Sequence, residues 1–249
     1  MKKALIVSLI ISLVLLLGCD ATFHSTEDSE GTISGVVKES DLRKPIDGAE
    51  VCIIGYYMST TTRDGGQFLL EHVPIGEQIV RIKHDDYMTK EITTRIFAGE
   101  TTPLTNIELR DIYVDKVIAY DKATNVDFIK GKPDNACVVI PNSGYIVVDL
   151  GSGEEAASGS TYGDFYIAFK EDYADSIKKD ILIGVSNYET GPFQRCEWNT
   201  EGVSITGTGY DKVRFIKIEF SGGEEESEES QENKQIEIDY IRVLNYENY

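Results

Sequence analysis

Histidine is nearly missing from this chain. The three present, His24, His72 and His84, are scattered, which leaves little for imidazole catalysis or a histidine metal site. No G-x-S-x-G stretch occurs, so the nucleophile elbow of a serine hydrolase is excluded. Base is scarce: 24 Lys and Arg stand against 43 Asp and Glu, a formal charge of -19. Such a chain repels phosphate backbones, and nucleic acid is excluded as a partner. No stretch keeps a helical period over several turns. The longest apolar run, Ala4–Leu17, has 14 residues, short of the about 20 that a membrane span needs. With 249 residues the chain suits two modest domains and has no room for a catalytic domain beside them. The expectation is a protein that is not an enzyme.

What is there begins with Met1-Lys2-Lys3, the Ala4–Leu17 run broken only by Ser8 and Ser12, and then Gly18-Cys19. A basic head, a short apolar stretch and a small residue read as an export leader. Leu16-Leu17-Gly18-Cys19 resembles the lipobox of bacterial lipoproteins, with Leu17 larger than the usual Ala or Ser. The resemblance implies a signal peptide at 1–18. Cys19 would then open the mature chain, carrying a diacylglycerol thioether and an acyl group, such as palmitate, on its amine. The alternative is an ordinary cleaved leader with Cys19 an incidental thiol. Each buried methylene contributes about 0.8 kcal/mol, so one acyl chain holds marginally and three hold permanently. Losing Lys2 and Lys3 with the leader moves the formal charge from -19 to -21. The expected address is the lipid bilayer of a bacterial cell envelope, at the outer membrane or cell surface rather than the inner membrane.

Residues 19–30 are acidic, have no hydrophobic periodicity and read as a solvated tether. His24 and Glu27 stand at H-x-x-E spacing there, with no helix to fix their geometry, so no zinc site is expected. Gly222–Asn233, with six Glu and no base, reads as a disordered acidic loop.

Residues 31–110 alternate as strands do, in runs punctuated by Gly, Pro and Asp. "RDGG" between "STTT" and "QFLL" predicts a tight hairpin. The series "GTISGVV", "KPIDGAEVCI", "STTTRDGGQF", "HVPIG" and "HDDY" resembles the carboxypeptidase regulatory-like domain, a small transthyretin-like β-sandwich. Asp86-Tyr87 stands where such domains often show Gly-Tyr. The resemblance implies a spacer or docking module without catalytic residues. His72 and His84 have no metal-ligand partners at a recognisable spacing, and "HDD" reads as a turn.

Residues 111–249 hold eight strand-like runs with irregular connections, which argue a jelly-roll sandwich. Asp111-Ile112-Tyr113 has no linker character, so the join is expected to be short. Glu171–Asp180 is the one stretch that suits a short helix, or equally a loop. Ile236, Ile238 and Tyr240 alternate strictly, placing Glu237 and Asp239 on the opposite face. The order of "GKPD", "NSGYIVVDL", "GDFYIAF", "ILIGVSN" and "IEIDYIRVL" resembles the galactose-binding-like jelly rolls of bacterial cell-surface proteins. The fold class expected is therefore all-β, two sandwiches in series.

That second resemblance implies a bound partner: glycan, wall polymer or calcium. Carbohydrate recognition needs flat aromatic faces with amide or carboxylate neighbours. Asn187–Thr200 gathers Tyr188, Phe193, Gln194, Arg195, Glu197 and Trp198, the single Trp, in one predicted hairpin loop. These are the candidate ligand-binding residues, and the alternative makes Trp198 a core plug. A structural calcium is the one cofactor considered, with Asp134, Glu237 and Asp239 as candidate ligands against a plain solvent face. Cys137 and Cys196 form the candidate disulfide, with Cys52 left over and all three free as the alternative. Two functions follow. One is an envelope-anchored, non-catalytic binding or adhesion module for a glycan or cell-surface polymer. The alternative is a structural or assembly lipoprotein that contacts only envelope proteins.

Overall fold

The computed structural model describes residues 29–161, 163–171, 173, 175–222 and 234–246. The signal peptide, Cys19, His24, Glu27 and residues 223–233 of the acidic loop lie outside the described residues.

Seven strands build the first unit: β1 (Glu30–Glu39), β2 (Glu50–Ile53), β3 (Ser59–Thr61), β4 (Gln67–Pro74), β5 (Gly76–His84), β6 (Tyr87–Ile96) and β7 (Thr101–Leu109). They form two sheets, ordered β4-β1-β7 and β3-β2-β5-β6. Alternation does what the pleat requires. Val51 and Ile53 of β2, Phe68 and Leu70 of β4, and Val80 and Ile82 of β5 meet in one core, while Glu50 and Cys52 face away. His84 and Tyr87 pair across the expected "HDD" turn.

The hairpin expected at "RDGG" does not form. β3 pairs with β2, and β4 pairs with β1 in the other sheet. The tight turn itself closes: Arg63 and Gln67 exchange two backbone bonds of 2.8 Å, with Asp64, Gly65 and Gly66 all at positive φ. The chain changes sheets because Thr62 is pinned. Its buried hydroxyl donates to Ile46 O at 2.7 Å and accepts from Ala49 N–H at 2.9 Å. Asp47 Oδ1 accepts from the N–H groups of Gly65 and Gly66. A Cβ on Gly66 would stand 2.3 Å from Val37 O, so no side chain fits there.

Twelve strands build the second unit: β8 (Lys116–Asp121), β9 (Val138–Pro141), β10 (Gly144–Asp149), β11 (Ala156–Ala157), β12 (Phe165–Phe169), β13 (Ile181–Ser186), β14 (Gln194–Arg195), β15 (Glu197–Trp198), β16 (Val203–Ser204), β17 (Lys212–Val213), β18 (Phe215–Phe220) and β19 (Gln235–Val243). Two five-stranded sheets, β14-β13-β18-β10-β8 and β15-β16-β12-β19-β9, enclose one core; β11 and β17 pair alone. Each of the eight expected runs holds a strand. Asp175–Lys178 forms a four-residue helix, α1, inside the stretch that suited one.

The strict alternation expected along β19 breaks. Ile236 and Ile238 are buried, but Ala168 pairs with Tyr240 while Phe169 pairs with Ile238, leaving Asp239 as an extra residue. Such a bulge shifts the parity of everything beyond it. Ile241 and Val243 take the inward positions, and Tyr240 turns away from the core it was expected to join.

That turn serves the junction. Met88, Ile112 and Tyr113 are buried there in their own cluster, with Tyr240 and Tyr246 packed against it. The join pairs with both units: Tyr87 bridges to Asp111 and Tyr113 bridges to Arg242. Asp86 accepts from Tyr113 Oη–H at 2.9 Å and from Lys132 at 2.7 Å. Burial opposes ionisation of Asp86, yet those two bonds prevail and hold its carboxyl below the ordinary value. Asp86 is thus where the two units touch.

A buried carboxylate ties the end of β10 to Arg214, the residue between β17 and β18. Asp149, 2 % exposed, accepts from Arg214 Nε at 2.6 Å and Nη2 at 3.0 Å, and from Gly151 N–H at 3.0 Å. Burial raises its pKa, but these bonds outweigh burial and the net shift is downward from 3.8. Arg214→Ala, which leaves that charge poorly compensated, lowers unfolding free energy by about 3 kcal/mol in urea titration. The pair's contribution is complete above pH 3.8 and is lost as pH falls through the lowered folded value. The substitution accordingly flattens the acid arm of the stability curve.

Candidate functional site: the Trp198 edge

The six candidate residues divide between the two sheets. β14 pairs with β13 in one sheet, and β15 pairs with β16 in the other. The chain crosses from sheet to sheet at buried Cys196. Tyr188, 65 % exposed, stays in the β13–β14 loop. Phe193 lies against Gly184 on the outer surface of the first sheet, where a Cβ on that glycine would meet it at 3.0 Å. Gln194 and Arg195 are exposed on β14, and Glu197 is exposed on β15. The predicted single hairpin platform does not form, because one strand pair cannot serve two sheets.

Trp198 finds other aromatic company. It is half-buried against the core edge, 5.4 Å from the Phe169 ring, and Phe169 meets Tyr173 edge-on at 5.8 Å. Alternation along β12 explains this: Phe165 and Ile167 enter the core, and Phe169 emerges at its rim. Tyr173 Oη accepts from Glu237 N–H at 2.8 Å, which fixes its ring.

Three depressions meet at Trp198 and Asn199, and the first two also share Thr200. The first, about 220 Å³, continues past Phe169, Lys170, Glu171 and Tyr173. The second, about 870 Å³, runs over Lys178, Lys179, Arg195 and Glu197. The third, about 230 Å³, is walled by Ser160, Thr161, Glu201, Gly202 and Ser204, together with Trp198 and Asn199. An aromatic surface beside amide, hydroxyl and charged groups can stack on a pyranose ring and bond its hydroxyls.

One buried acid organises the third wall. Asp164, 0 % exposed, accepts from Ser160 N–H at 3.1 Å, Ile205 N–H at 2.8 Å and Ser204 Oγ at 3.4 Å. Gly163 lets two loops cross: its Cβ would stand 2.9 Å from Gly202 Cα. The sequence signal for this hub was the "GDF" triplet, read only as strand pattern.

The calcium acids are not gathered. Asp134 is exposed and caps its own turn through Ala136 N–H. Glu237 accepts from Lys170 at 2.5 Å, and that bond holds its carboxyl below the ordinary value. Asp239 Oδ1 is buried without a hydrogen-bond partner. Among the described residues, the acids that do gather are Asp41, Asp115 and Glu154, at the junction. His72 is engaged with Glu30 at 2.9 Å on the exposed surface.

The expected Cys137–Cys196 bridge is also absent. Cys52, Cys137 and Cys196 are free thiols. Cys137 precedes β9 and Cys196 precedes β15, the opposite edges of a five-stranded sheet. Four strand spacings span roughly 19 Å, far beyond the about 7 Å Cα separation a disulfide allows.

With this geometry in place, the known proteins can be compared. Residues 32–110 match the family model of the carboxypeptidase regulatory-like domain. The match spans the first sandwich and ends at Arg110, where the join to the second begins. A comparison with curated proteins returns no match. Solved structures with some likeness include a C-terminal interface mutant of a type II cohesin–X–dockerin complex from Acetivibrio cellulolyticus, 28% identical over 30% of this chain and 51% of that one, TM-score 0.26. The N-terminal interface mutant of that complex is 24% identical over 35% of this chain and 61% of that one, TM-score 0.29. The chain therefore spans 51% and 61% of those two structures. A protein from Bacteroides uniformis, described as "a putative carbohydrate binding protein", is 9% identical over 87% of this chain and 99% of that one, TM-score 0.29. At these scores the likenesses carry no function over to this chain.

Thiol chemistry checks the Trp198 edge. Burial pushes the Cys196 thiol up to about 12. Iodoacetamide under native conditions is expected to label Cys137 and Cys52 and to spare Cys196. Denaturation without reductant should expose all three, as read by peptide mass spectrometry.

Proposed function

We propose that this chain is a lipid-anchored, non-catalytic binding module that holds an acidic glycan at the Trp198 edge of its second sandwich. The observation that carries the reading is the half-buried Trp198 backed by Phe169, where three polar depressions converge. Charge supports the ligand class. Lys178, Lys179 and Arg195, with Glu197 as the one acid, line the second of these grooves in a chain whose formal charge is -19. A local cluster of cations in so acidic a molecule favours a carboxylated or sulfated polymer over a neutral one. The reading assigns binding and no turnover: none of the three grooves is lined by histidine, and buried Cys196 is held as a thiol. In this reading Cys19 anchors the module to the envelope, and the regulatory-like domain is the spacer between anchor and binding edge; the tether expected at 19–30 ends before Glu30, which opens β1.

Binding is tested with the chain from Asp20 onward against acidic polysaccharides such as polygalacturonate and alginate, with neutral mannan as control. Fluorescence of the single Trp is expected to shift with the acidic polymers, and the shift to weaken as salt rises. Trp198→Ala abolishes retention. Trp198 is only half-buried, so the cost stays below the about 3–5 kcal/mol of deleting a fully buried aromatic, and the fold survives. Fluorescence unmoved by any glycan, with an envelope protein co-purifying instead, supports the assembly reading. Intact-mass analysis of the membrane-extracted protein is expected to show a chain that begins at Cys19 and carries fatty acyl groups; an unmodified N-terminus elsewhere removes the anchor.

A further inference from the structure

Asp41, Asp115 and Glu154 come from three separate pieces of chain. Asp41 lies on the loop between β1 and β2 of the first sandwich, Asp115 just ahead of β8, and Glu154 between β10 and β11. One carboxylate oxygen from each falls within 4.8 Å of the other two. Clustered acids on a surface are common and mean little by themselves. Here one of them is inside: Glu154 is 4 % exposed, and its Oε2 is buried with no hydrogen-bond partner. An orphaned carboxylate oxygen is costly to keep dry without a cation or proton beside it.

The backbone leaves room at that oxygen. Gly151 has φ +102, and a Cβ there would stand 2.5 Å from Glu154 Oε2 and 2.6 Å from Asp115 Oδ2. Both acids therefore turn an oxygen toward the same glycine, into space that any other residue would occupy. Arg214 and Lys116 are engaged with Asp149. Arg110 donates to Gly153 O at 3.0 Å and favours the charged form of Glu154, but Asp115, Asp111 and Asp41 outweigh it. Burial first, then those three acids, push Glu154 up to about 9; burial with the neighbouring acids, against a side-chain hydrogen bond with Glu154, pushes Asp115 up to about 6, so the two carboxyls crowd one another.

We propose that Asp41, Asp115 and Glu154 form a calcium-type site that clasps the two sandwiches together at their junction. An all-oxygen set without His or Cys selects a hard cation. Ca²⁺ takes six to eight oxygens in flexible geometry, which suits ligands from three loops on two units; Mg²⁺ demands a near-ideal octahedron. Because Asp41 belongs to the first sandwich and Asp115 and Glu154 to the second, the ion ties one sandwich to the other. The site is distinct from the acids of β19 and from the Trp198 edge, and it stands or falls independently of glycan binding.

The test uses the full chain stripped with EDTA, then titrated with CaCl2 or MgCl2 by calorimetry and thermal unfolding. CaCl2 raises the unfolding midpoint and binds with a dissociation constant of roughly 10⁻⁴–10⁻³ M, as extracellular calcium modules do, and MgCl2 does less. Glu154→Gln and Asp41→Asn each weaken calcium by about tenfold or more through loss of ligand charge. Asp41 is exposed, so its variant keeps the parent circular dichroism in EDTA and remains informative if Glu154→Gln misfolds. A parent protein with no calcium-dependent shift overturns the proposal. A shift that persists undiminished in both variants also overturns it and puts the ion elsewhere on the chain.

Discussion

Tyr113 stands where two sandwiches meet, 4 % exposed, and the arrangement of the molecule depends on what holds it. Its backbone bridges to Arg242 of the second unit, and its hydroxyl donates to Asp86 of the first. Its ring meets Tyr240 edge-on at 6.1 Å. Met88 and Ile112 complete a small dry cluster. Burying each such side chain contributes about 1.5–3 kcal/mol, and backbone bonds such as Val243 N–H to Ile112 O, 2.7 Å, satisfy the join's polar groups. A join that pairs with both neighbours has no slack to act as a hinge.

The same economy explains the binding edge. A five-stranded sheet closes against its partner only if the chain crosses between them, and the crossing at Cys196 leaves β14 and β15 as two-residue strands on facing edges. So short a rim cannot bury a whole indole, and Trp198 stays half in the core and half in solvent. Asp164 then does for the loops what a strand would otherwise do, collecting backbone N–H groups from Ser160 and Ile205 around one buried carboxylate. The grooves are a consequence of ending the sheets this way.

Charge is handled differently in three places. Asp149 is buried and matched by Arg214. Asp86 is matched by Lys132 and Tyr113. Glu154 is buried beside Asp115 and Asp41, and burial with those acids outweighs Arg110. At the Trp198 edge three bases and one acid, Glu197, line one groove of an acidic chain.

Period-two alternation was enough to place every major strand, because burial on one face repeats every second residue whatever the neighbours are. Turn chemistry placed Arg63–Gln67, since only residues tolerant of positive φ stand at 64–66. Signals local in sequence are silent on which strands pair. The Asp-Gly turn put β3 and β4 in one hairpin, nearness along the chain set Tyr188 through Trp198 on one platform, a shared domain paired Cys137 with Cys196, and alternation kept Tyr240 on the core face. Each of these depended on contacts distant along the chain: the pinning of Thr62, the crossing at Cys196, the sheet order that separates β9 from β15, and the bulge at Asp239. Residue type and spacing determined where strands begin and which face they bury. Only the packed fold decided which acids meet, since Asp41 and Glu154 are 113 positions apart in sequence and share one point in space.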